Sequence, residues 1–310
     1  MSDTKISKII YQTWETKDLD PNMRAAMQTW IDMNPEYEHR LCDAKDRRDF
    51  VAEHFSERIL KAYDKLRPGT YQADFWRYCV LYMTGGICVD IDVQCKLPMS
   101  TVISDSDEFV SGKAPSYEFA IWVGFVAARK GHPFLKLALD KVVHNIETDY
   151  YGEGGVWPTG PVATGIAVNR YAGLPDRHPY KLGINTRGDY KFKLLPFDSK
   201  TKEVLNDAGE VVMMINYDGY ITYRNKTVIA YPIAWREGKI YHYDKPSKIR
   251  AMKQAWRMVT TRQGRRYSKS LIGQKAEALR PIKLKCDELS AKLKKRSKTY
   301  AKAIEFIKSR

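Results

Sequence analysis

The chain has 310 residues, of which 44% are hydrophobic and 12% aromatic, and this apolar content excludes a protein that is disordered throughout. Its net charge of +15 is concentrated in residues 245–310, which hold 21 basic and 4 acidic residues, whereas residues 1–244 hold 31 basic and 33 acidic ones. We therefore expect a near-neutral globular domain at residues 1–245 followed by a basic tail at 246–310, and not a protein that is basic over its whole surface.

Apolar runs and helical patterns alternate in the first hundred residues. The predicted elements are a strand at 5–12, a helix at 21–33, a strand at 37–42, one or two helices within 44–63, a helix at 70–83 and a strand at 87–93. The clearest helix carries Tyr71, Phe75, Tyr78 and Tyr82 at spacings of four, three and four, which is one face of a helix. Glycines 85 and 86 are expected to end it.

The alternation continues through the rest of the domain. The predicted elements are strands at 109–111 and 120–128, a helix at 133–146, a Gly- and Pro-rich loop at 153–165 that enters a helix, and short strands and turns at 189–245. This order indicates an α/β fold with a mainly parallel central sheet. The basic tail shows apolar stripes opposite Lys and Arg, which predicts amphipathic helices on either side of Pro281.

Two carboxylates close the apolar run at 87–93. Residues two apart share a face of a strand, so Asp90 and Asp92 are expected to point together while Ile91 points away. Two neighbouring carboxylates repel unless a cation lies between them, and oxygen ligands suit Mg²⁺ or Mn²⁺. In a reaction whose leaving group is a diphosphate, such an ion would neutralise the negative charge that grows on that group as the bond breaks. A bare D-x-D pair also occurs as two solvated carboxylates in a loop. The neighbouring sequence must therefore indicate whether this pair binds a metal ion.

The preceding helix supplies that context. Asp74 and Arg77 lie three residues apart and therefore side by side on the helix, next to the aromatic face. Taken alone, the pair is typical of a surface ion pair worth a few tenths of a kcal/mol.

Together these residues form a recognisable block. A-D-F-W-R-Y at 73–78, L-Y-M-T-G-G-I at 81–87 and V-D-I-D at 89–92 resemble the A-D-x-x-R-Y-x-x-L-Y-x-x-G-G-x-Y-x-D-x-D block of the DXD-containing sugar transferases, glycosyltransferase family 32. K-I-I-Y-Q-T-W at 8–14 and W-x-x-x-N-P-x-Y at 30–37 resemble two further family segments. The family includes yeast mannosyltransferases, bacterial capsule glycosyltransferases and, distantly, the clostridial glucosylating toxins. The resemblance covers roughly residues 5–170.

The resemblance implies a GT-A domain that moves a hexose from a UDP- or GDP-sugar donor to a glycan or lipid-linked glycan, with retention at the anomeric carbon. It implies that Asp90 and Asp92 hold Mn²⁺ or Mg²⁺, with His242 as a third ligand. Asp74 would hydrogen-bond donor sugar hydroxyls, and Arg77 would reach the sugar or a phosphate. Asp74, Arg77 and Asp92 are thus the implied catalytic residues.

The remaining donor-binding residues that the resemblance implies are Gln12, Thr13, Trp14, Ile91, Thr159, Gly160 and Pro161. Trp14 would lie near the nucleotide base, although packing in the core is an equal alternative. The T-G-P element at 159–161 is also compatible with a simple helix-entry turn. Where relatives carry an Asn that faces the donor, this chain has Ile121-Trp122-Val123-Gly124, so the donor sugar and the third metal ligand stay open.

Two rival functions start from the same features. A HAD-like phosphatase also places D-x-D after an apolar strand, but it would leave Asp74 and Arg77 unexplained. A protein that binds nucleic acid through the tail needs only Lys and Arg, yet aromatic residues for base stacking are sparse there, so nucleic acid is the less favoured partner.

The chain also gives expectations about location. Its five cysteines are odd in number, form no C-x-x-C pair and mostly lie in apolar runs. We therefore expect reduced thiols in the core, which favours a reducing compartment. The polar opening residues are unlike a secretory signal. We expect a cytoplasmic protein whose tail attaches to an anionic membrane surface on the cytosolic side.

Overall fold

The computed structural model describes residues 5–216, Tyr220 and residues 230–242, so the predicted tail lies outside the described residues. The strands are β1 (Ile9–Thr13), β2 (Glu38–Cys42), β3 (Gly86–Val89), β4 (Val93–Cys95), β5 (Phe109–Lys113), β6 (Ile121–Ala128), β7 (Gly183–Arg187), β8 (Tyr190–Leu195), β9 (Phe197–Asp198), β10 (Glu203–Leu205) and β11 (Val211–Ile215). The helices are α1 (Pro21–Met33), α2 (Ala44–His54), α3 (Glu57–Lys65), α4 (Gly69–Thr84), α5 (Pro133–Glu147), α6 (Pro161–Tyr171) and α7 (Tyr231–Glu237).

Local sequence signals explain where the helices begin and end. α1 begins after Asp20, whose side chain accepts a hydrogen bond from the backbone of Asn22, as an N-cap residue does. α2 begins with a capping box between Asp43 and Asp46. α4 ends at Gly85, which has a φ of 69° and donates to the carbonyl of Leu81. Glycine adopts this left-handed conformation without strain, so the chain can turn from α4 into β3.

The central sheet has the strand order β2-β1-β3-β6-β5-β8-β7. β1 pairs in parallel with β2 and β3, and β5 pairs in parallel with β8. β6 is antiparallel to both of its neighbours, and β7 is antiparallel to β8. Five of the seven strands therefore run in one direction, which confirms the predicted α/β class with a mostly parallel sheet. A smaller antiparallel sheet has the order β4-β11-β10-β9.

Two apolar layers cover the two faces of β3. Ile87 and Val89 belong to a buried cluster that includes Trp30 of α1 and Met213 of β11. Cys88, on the opposite face, lies beside Arg77 of α4, and α4 also packs against α5. Because α1 and the small sheet cover one face and α4 the other, the end of β3 is fixed from both sides. No helix among the described residues combines the length and the apolar character needed to cross a bilayer.

Candidate active site

The two carboxylates of the D-x-D pair lie in a turn and not on a strand. β3 ends at Val89, and the backbone nitrogen of Val93 donates to the carbonyl of Asp90 at 3.1 Å. The prediction that this strand continues to residue 93 is therefore wrong, and strand alternation is not what brings Asp90 and Asp92 together. Ile91, between them, is buried and packs near Leu19.

The turn is braced by the W-x-x-x-N segment of α1. The indole nitrogen of Trp30 donates to the carbonyl of Val93 at 2.7 Å. Asn34 donates to the carbonyl of Trp30 and accepts from the backbone of Met99. At the other end of the turn, the backbone nitrogen of Asp90 donates to the carbonyl of Gly124 in β6 at 2.8 Å. The second motif of the sequence thus supports the first one structurally.

Both carboxylates open into a cleft of about 270 Å³. The residues that line it are Thr13, Trp14, Glu15, Arg47, Gly69, Thr70, Ala73, Asp74, Asp90, Ile91, Asp92, Trp122, Ile215, Asn216, Tyr220 and Tyr231. Among the predicted site residues, the structure thereby brings Thr13, Trp14, Asp74, Asp90, Ile91 and Asp92 together. The cleft is open at the carboxyl end of β3, where α/β enzymes commonly bind their ligands.

Arg77 lies between two carboxylates. Its side chain is 1% exposed, its Nη1 lies 3.1 Å from Oδ1 of Asp74, and its Nη2 forms an ion pair with Oδ1 of Asp90. Arg77 is not among the residues that line the cleft. The resemblance implied contact with the sugar or a phosphate, but this geometry gives Arg77 the task of holding both acids in place, and it excludes the simple surface ion pair.

Burial and the Arg77 charge act in opposite directions on the pKa of Asp74. Burial raises the pKa of Asp74 to about 6, and the Arg77 guanidinium and the Thr159 hydroxyl oppose that rise while the Asp90 carboxylate adds to it. A carboxyl group with this pKa is ionised at neutral pH and can accept hydrogen bonds from hydroxyls.

Hydrogen bonds near Asp74 join the Gly-rich loop before α6 to α4. Thr159 is fully buried and its hydroxyl donates to Oδ2 of Asp74 at 2.9 Å. The Tyr78 hydroxyl donates to the carbonyl of Thr159 at 2.7 Å, and Tyr71 donates to the carbonyl of Gly155 at 2.7 Å. Tyr71 and Tyr78 belong to the predicted aromatic face, so that face anchors the loop through its hydroxyls in addition to packing in the core.

Gly160 and Pro161 begin α6 beside Asp74. Gly160 precedes the first helical residue, and a Cβ atom at Gly160 would lie 3.1 Å from Oδ2 of Asp74. Pro161 takes the first helical position, where its missing N–H costs nothing. Thr159 and Gly160 therefore lie against Asp74, and none of the three residues 159–161 lines the cleft.

The K-I-I-Y-Q-T-W segment supplies a buried residue that supports the D-x-D turn and a residue that lines the cleft. Gln12 is fully buried and its amide donates to the carbonyl of Asp90 at 3.3 Å, while the His39 ring donates to Oε1 of Gln12 at 2.9 Å. Thr13 accepts from Arg47 at 2.6 Å, and Arg47 also donates to the carbonyl of Trp14 at 2.8 Å. Gln12 therefore supports the D-x-D turn, and Trp14 forms part of the cleft.

Asp90 and Asp92 fit a hard divalent cation by their chemistry, since both are carboxylates that line one cleft. Among the described residues, however, no group of three or more His, Cys, Asp or Glu side chains comes together as a metal site. His242 is exposed, its backbone donates to the carbonyl of Lys65 at 2.7 Å, and it does not line the cleft. The structure thus does not bring the predicted third ligand to the pair. Mg²⁺ is commonly held by one or two carboxylates plus substrate phosphates, so the two acids suffice for this mode of binding.

Several cleft residues were not predicted. Glu15 lies next to Trp14 in the sequence, accepts from Arg47 at 3.1 Å and approaches Gly69 so closely that a Cβ there would lie 1.9 Å from Oε1. Trp122 stands out in the sequence only as a departure from the family pattern, and nothing in the sequence marks Asn216. Adjacency to the Q-T-W segment could have identified Glu15, but the buried Arg47 has no comparable signal.

Comparison with known proteins supports the resemblance. Residues 20–110 match the family model described as "Glycosyltransferase sugar-binding region containing DXD motif". This match covers less than a third of the chain and includes both the Asp74–Arg77 pair and the D-x-D turn. The predicted resemblance to the DXD sugar transferases is thereby confirmed.

The curated relatives are named glycosyltransferases. The chain is 32% identical over 174 residues to inositol phosphoceramide mannosyltransferase 3 of Schizosaccharomyces pombe, covering 55% of this chain and 47% of that protein. It is 24% identical over 233 residues to inositol phosphoceramide mannosyltransferase 2 of the same yeast, covering 70% of this chain and 63% of the relative. The chain therefore spans about half to two thirds of the length of these relatives. Among solved structures, PaToxG glycosyltransferase is 19% identical with a TM-score of 0.44, over 54% of this chain and 70% of that one.

Proposed function

We propose that this chain is a metal-dependent glycosyltransferase that moves a hexose from a nucleoside diphosphate sugar to a hydroxyl of a glycan or glycolipid. The observation that carries the proposal is the arrangement of three acids in one cleft, with Asp90 and Asp92 in the turn after β3 and Asp74 tied to Asp90 through the buried Arg77. The names of the yeast relatives make mannose our first choice of hexose and a phosphoinositol glycolipid our first choice of acceptor.

In this proposal Asp90 and Asp92 hold Mn²⁺ or Mg²⁺. When bound, such an ion supplies positive charge that stabilises the diphosphate leaving group. Gln12 and Arg77 keep the Asp90 backbone and side chain in place, so the two acids need little rearrangement when donor and ion bind. Asp74 accepts hydrogen bonds from hydroxyls of the donor sugar and orients its anomeric carbon.

The transfer step follows from the donor chemistry. The bond between the anomeric carbon and the diphosphate oxygen breaks, and its electron pair leaves with the diphosphate. A bond forms between that carbon and the acceptor hydroxyl oxygen, and the hydroxyl proton passes to a phosphate oxygen of the leaving group. We propose attack from the same face, with retention of configuration, because each of the described acids in the cleft already has another task.

We further propose that the protein works at a membrane from the cytoplasmic side. Residues 245–310 carry 21 basic and 4 acidic residues, and a basic segment of this kind is attracted to anionic lipid headgroups. A glycolipid acceptor would be presented at the same surface.

The test is a panel of nucleotide sugars incubated with the purified chain and Mn²⁺, scored for donor hydrolysis without acceptor. We expect cleavage of one donor, loss of cleavage on addition of EDTA, and loss in Asp92→Asn. Hydrolysis of a generic aryl phosphate with no cleavage of any nucleotide sugar would instead identify a phosphatase. NMR of the anomeric proton of the transfer product distinguishes retention from inversion.

A further inference from the structure

The cleft extends on both sides of the D-x-D turn. In the sheet, β3 lies between β1 and β6. Trp14 follows β1, Asp90 follows β3, and Trp122 lies at the beginning of the antiparallel β6, so all three meet at the same edge of the sheet. Trp14 and Trp122 therefore flank the acids from opposite sides. The resemblance assigns the nucleotide base to the Trp14 side. On the Trp122 side this chain lacks the donor-facing Asn of its relatives, so the resemblance assigns no donor contact there to a residue of this chain.

Trp122 is fixed in place by its surroundings. Its indole lies against two glycines, since a Cβ atom at Gly112 would lie 2.6 Å from the ring and one at Gly124 would lie 2.5 Å from it. The Phe197 ring stacks on the indole, with 5.5 Å between the ring centroids and an angle of 9° between the ring planes. β5 and β6 thus have glycines where the indole lies, and the Phe197 ring packs parallel to the indole. Trp122 is still half-buried only and lines the cleft, so it offers a rigid apolar wall.

Asn216 contributes an amide to the lining of the same cleft. Its backbone nitrogen donates to the carbonyl of Asp92 at 2.9 Å, and its φ is 58°. Among residues other than glycine, Asn is one of those that adopt this left-handed conformation most readily, and the conformation persists where the surroundings enforce it. Asn216 lines the cleft, and an amide side chain can both donate to and accept from a hydroxyl group.

We propose that the Trp122 side of the cleft binds a six-membered polyol ring of the acceptor, with the uncovered part of the Trp122 indole contacting its C–H groups and Asn216 binding its hydroxyls. This inference rests on the proposed function, because a transferase must bring an acceptor hydroxyl next to the anomeric carbon held at Asp74, Asp90 and Asp92. An aromatic wall beside an amide suits a ring with an apolar face and polar rim. A pyranose and a cyclitol such as inositol share that chemistry.

The experiment uses the full chain with Mn²⁺ and the nucleoside diphosphate of the donor that the panel identifies. Methyl α-mannopyranoside and myo-inositol are the two probes, and the readout is paramagnetic relaxation of their ring protons by Mn²⁺. We expect relaxation with at least one probe, and the stronger response tells which ring is bound. Asn216→Gly keeps the left-handed backbone and removes the amide, so we expect roughly tenfold weaker probe binding, as for the loss of one or two neutral hydrogen bonds.

Lys202→Gly is the matched control, because Lys202 also has a positive φ, of 65°, and lies outside the cleft lining. Trp122→Phe retains an aromatic ring in the core and tests the wall, with weaker probe binding expected. Relaxation of neither probe, or equal binding by wild type and Asn216→Gly, overturns the inference. Electron paramagnetic resonance of Mn²⁺ separates this from failure of the proposed function, since Mn²⁺ uptake without a probe response defeats only the acceptor site.

Discussion

The hydroxyl of Thr159 donates a hydrogen bond of 2.9 Å to Oδ2 of Asp74, although 85 positions separate the two residues. The other oxygen of the same carboxylate is held by Arg77 at 3.1 Å. Asp74 is therefore oriented from two sides by buried groups. Because Tyr78 in turn donates to the Thr159 carbonyl, the Gly-rich loop and α4 act as one support for the acid that we assign to the donor sugar.

Replacing Thr159 by valine removes one of these supports while keeping a β-branched side chain of similar size. The Asp74 carboxyl has a pKa raised to about 6 by burial, and the Thr159 hydrogen bond partly offsets that rise. Without the bond the pKa rises further. Loss of a hydrogen bond to a charged group costs about 1.5 kcal/mol, which corresponds to roughly one pKa unit. We expect the acid limb of the pH–rate profile to move upward by about one unit.

The direction of this shift in the pH–rate profile follows from the role of Asp74 as an ionised hydrogen-bond acceptor. Wild-type activity should fall as the pH drops through about 6, and the variant should lose activity at a higher pH. Thr101→Val, at an exposed position in a short 3-10 turn, is the matched control and should keep the wild-type profile. An unchanged acid limb in Thr159→Val would show that Asp74 does not control that limb.

Arg77→Met removes the positive charge between two acids. Loss of one partner from a buried ion pair costs about 3–5 kcal/mol, because it leaves an uncompensated charge in the interior. Asp90 is 43% exposed at its side chain and is partly screened by solvent, so we expect about 3 kcal/mol lower free energy of unfolding in urea. Arg48→Met is the control, because Arg48 pairs with Asp64 at the surface, and it should cost at most about 1 kcal/mol.

A double variant distinguishes two causes of the lower stability of Arg77→Met, namely the uncompensated charge and the lost packing of the guanidinium. Asp74→Asn combined with Arg77→Met removes the buried carboxylate together with its partner. If the charge imbalance is the cause, the double variant should recover part of the lost stability. A double variant as unstable as the sum of its single changes would point to lost packing of the guanidinium instead.

Local signals along the chain are enough to predict much of the fold. The predicted helix at 21–33 has the observed bounds of α1, because Asp20 and Pro21 mark its beginning in the sequence itself. The strand predicted at 87–93 is too long, since alternation of apolar residues does not distinguish a strand end from a tight turn. The D-x-D pair is therefore identified by its chemistry, while its backbone geometry is not.

Long-range contacts account for what the local signals do not reveal. The resemblance implies that Thr159 contacts the donor, but its hydroxyl is bonded to Asp74 and it does not line the cleft. No periodicity in the sequence links positions so far apart. Trp122 and Asn216 join the cleft only because β6 and β11 pack next to the D-x-D turn. His242, expected as a metal ligand, instead lies beside Lys65 in the described part of the chain, a position that short motifs do not encode.

The next prediction is that Asp90 and Asp92 each act as a ligand of the metal ion, and each is tested by its own variant. In the presence of the donor nucleotide we expect one Mn²⁺ to bind, with electron paramagnetic resonance as the measurement. Asp92→Asn should abolish activity and weaken Mn²⁺ binding at least tenfold, because a carboxylate ligand and its charge are lost. Asp90→Asn should do the same and also free Arg77 from one of its partners. Asp105→Asn, at a surface ion pair with Lys5, is the control; Mn²⁺ binding that survives in both site variants would refute the assignment of these two ligands.

The last prediction concerns the basic tail as a sequence feature. Residues 283–310 hold ten basic and three acidic residues, and each Lys or Arg near an anionic surface contributes about 1 kcal/mol to attraction. We expect the full chain to float with vesicles that contain phosphatidylserine and not with neutral ones, and to dissociate near 1 M salt, where the Debye length is only about 3 Å. A variant with those ten residues changed to Gln keeps the length of the chain and should stay unbound, while its donor hydrolysis in solution should persist. Equal flotation of both proteins would mean that some surface other than this segment holds the protein to lipid.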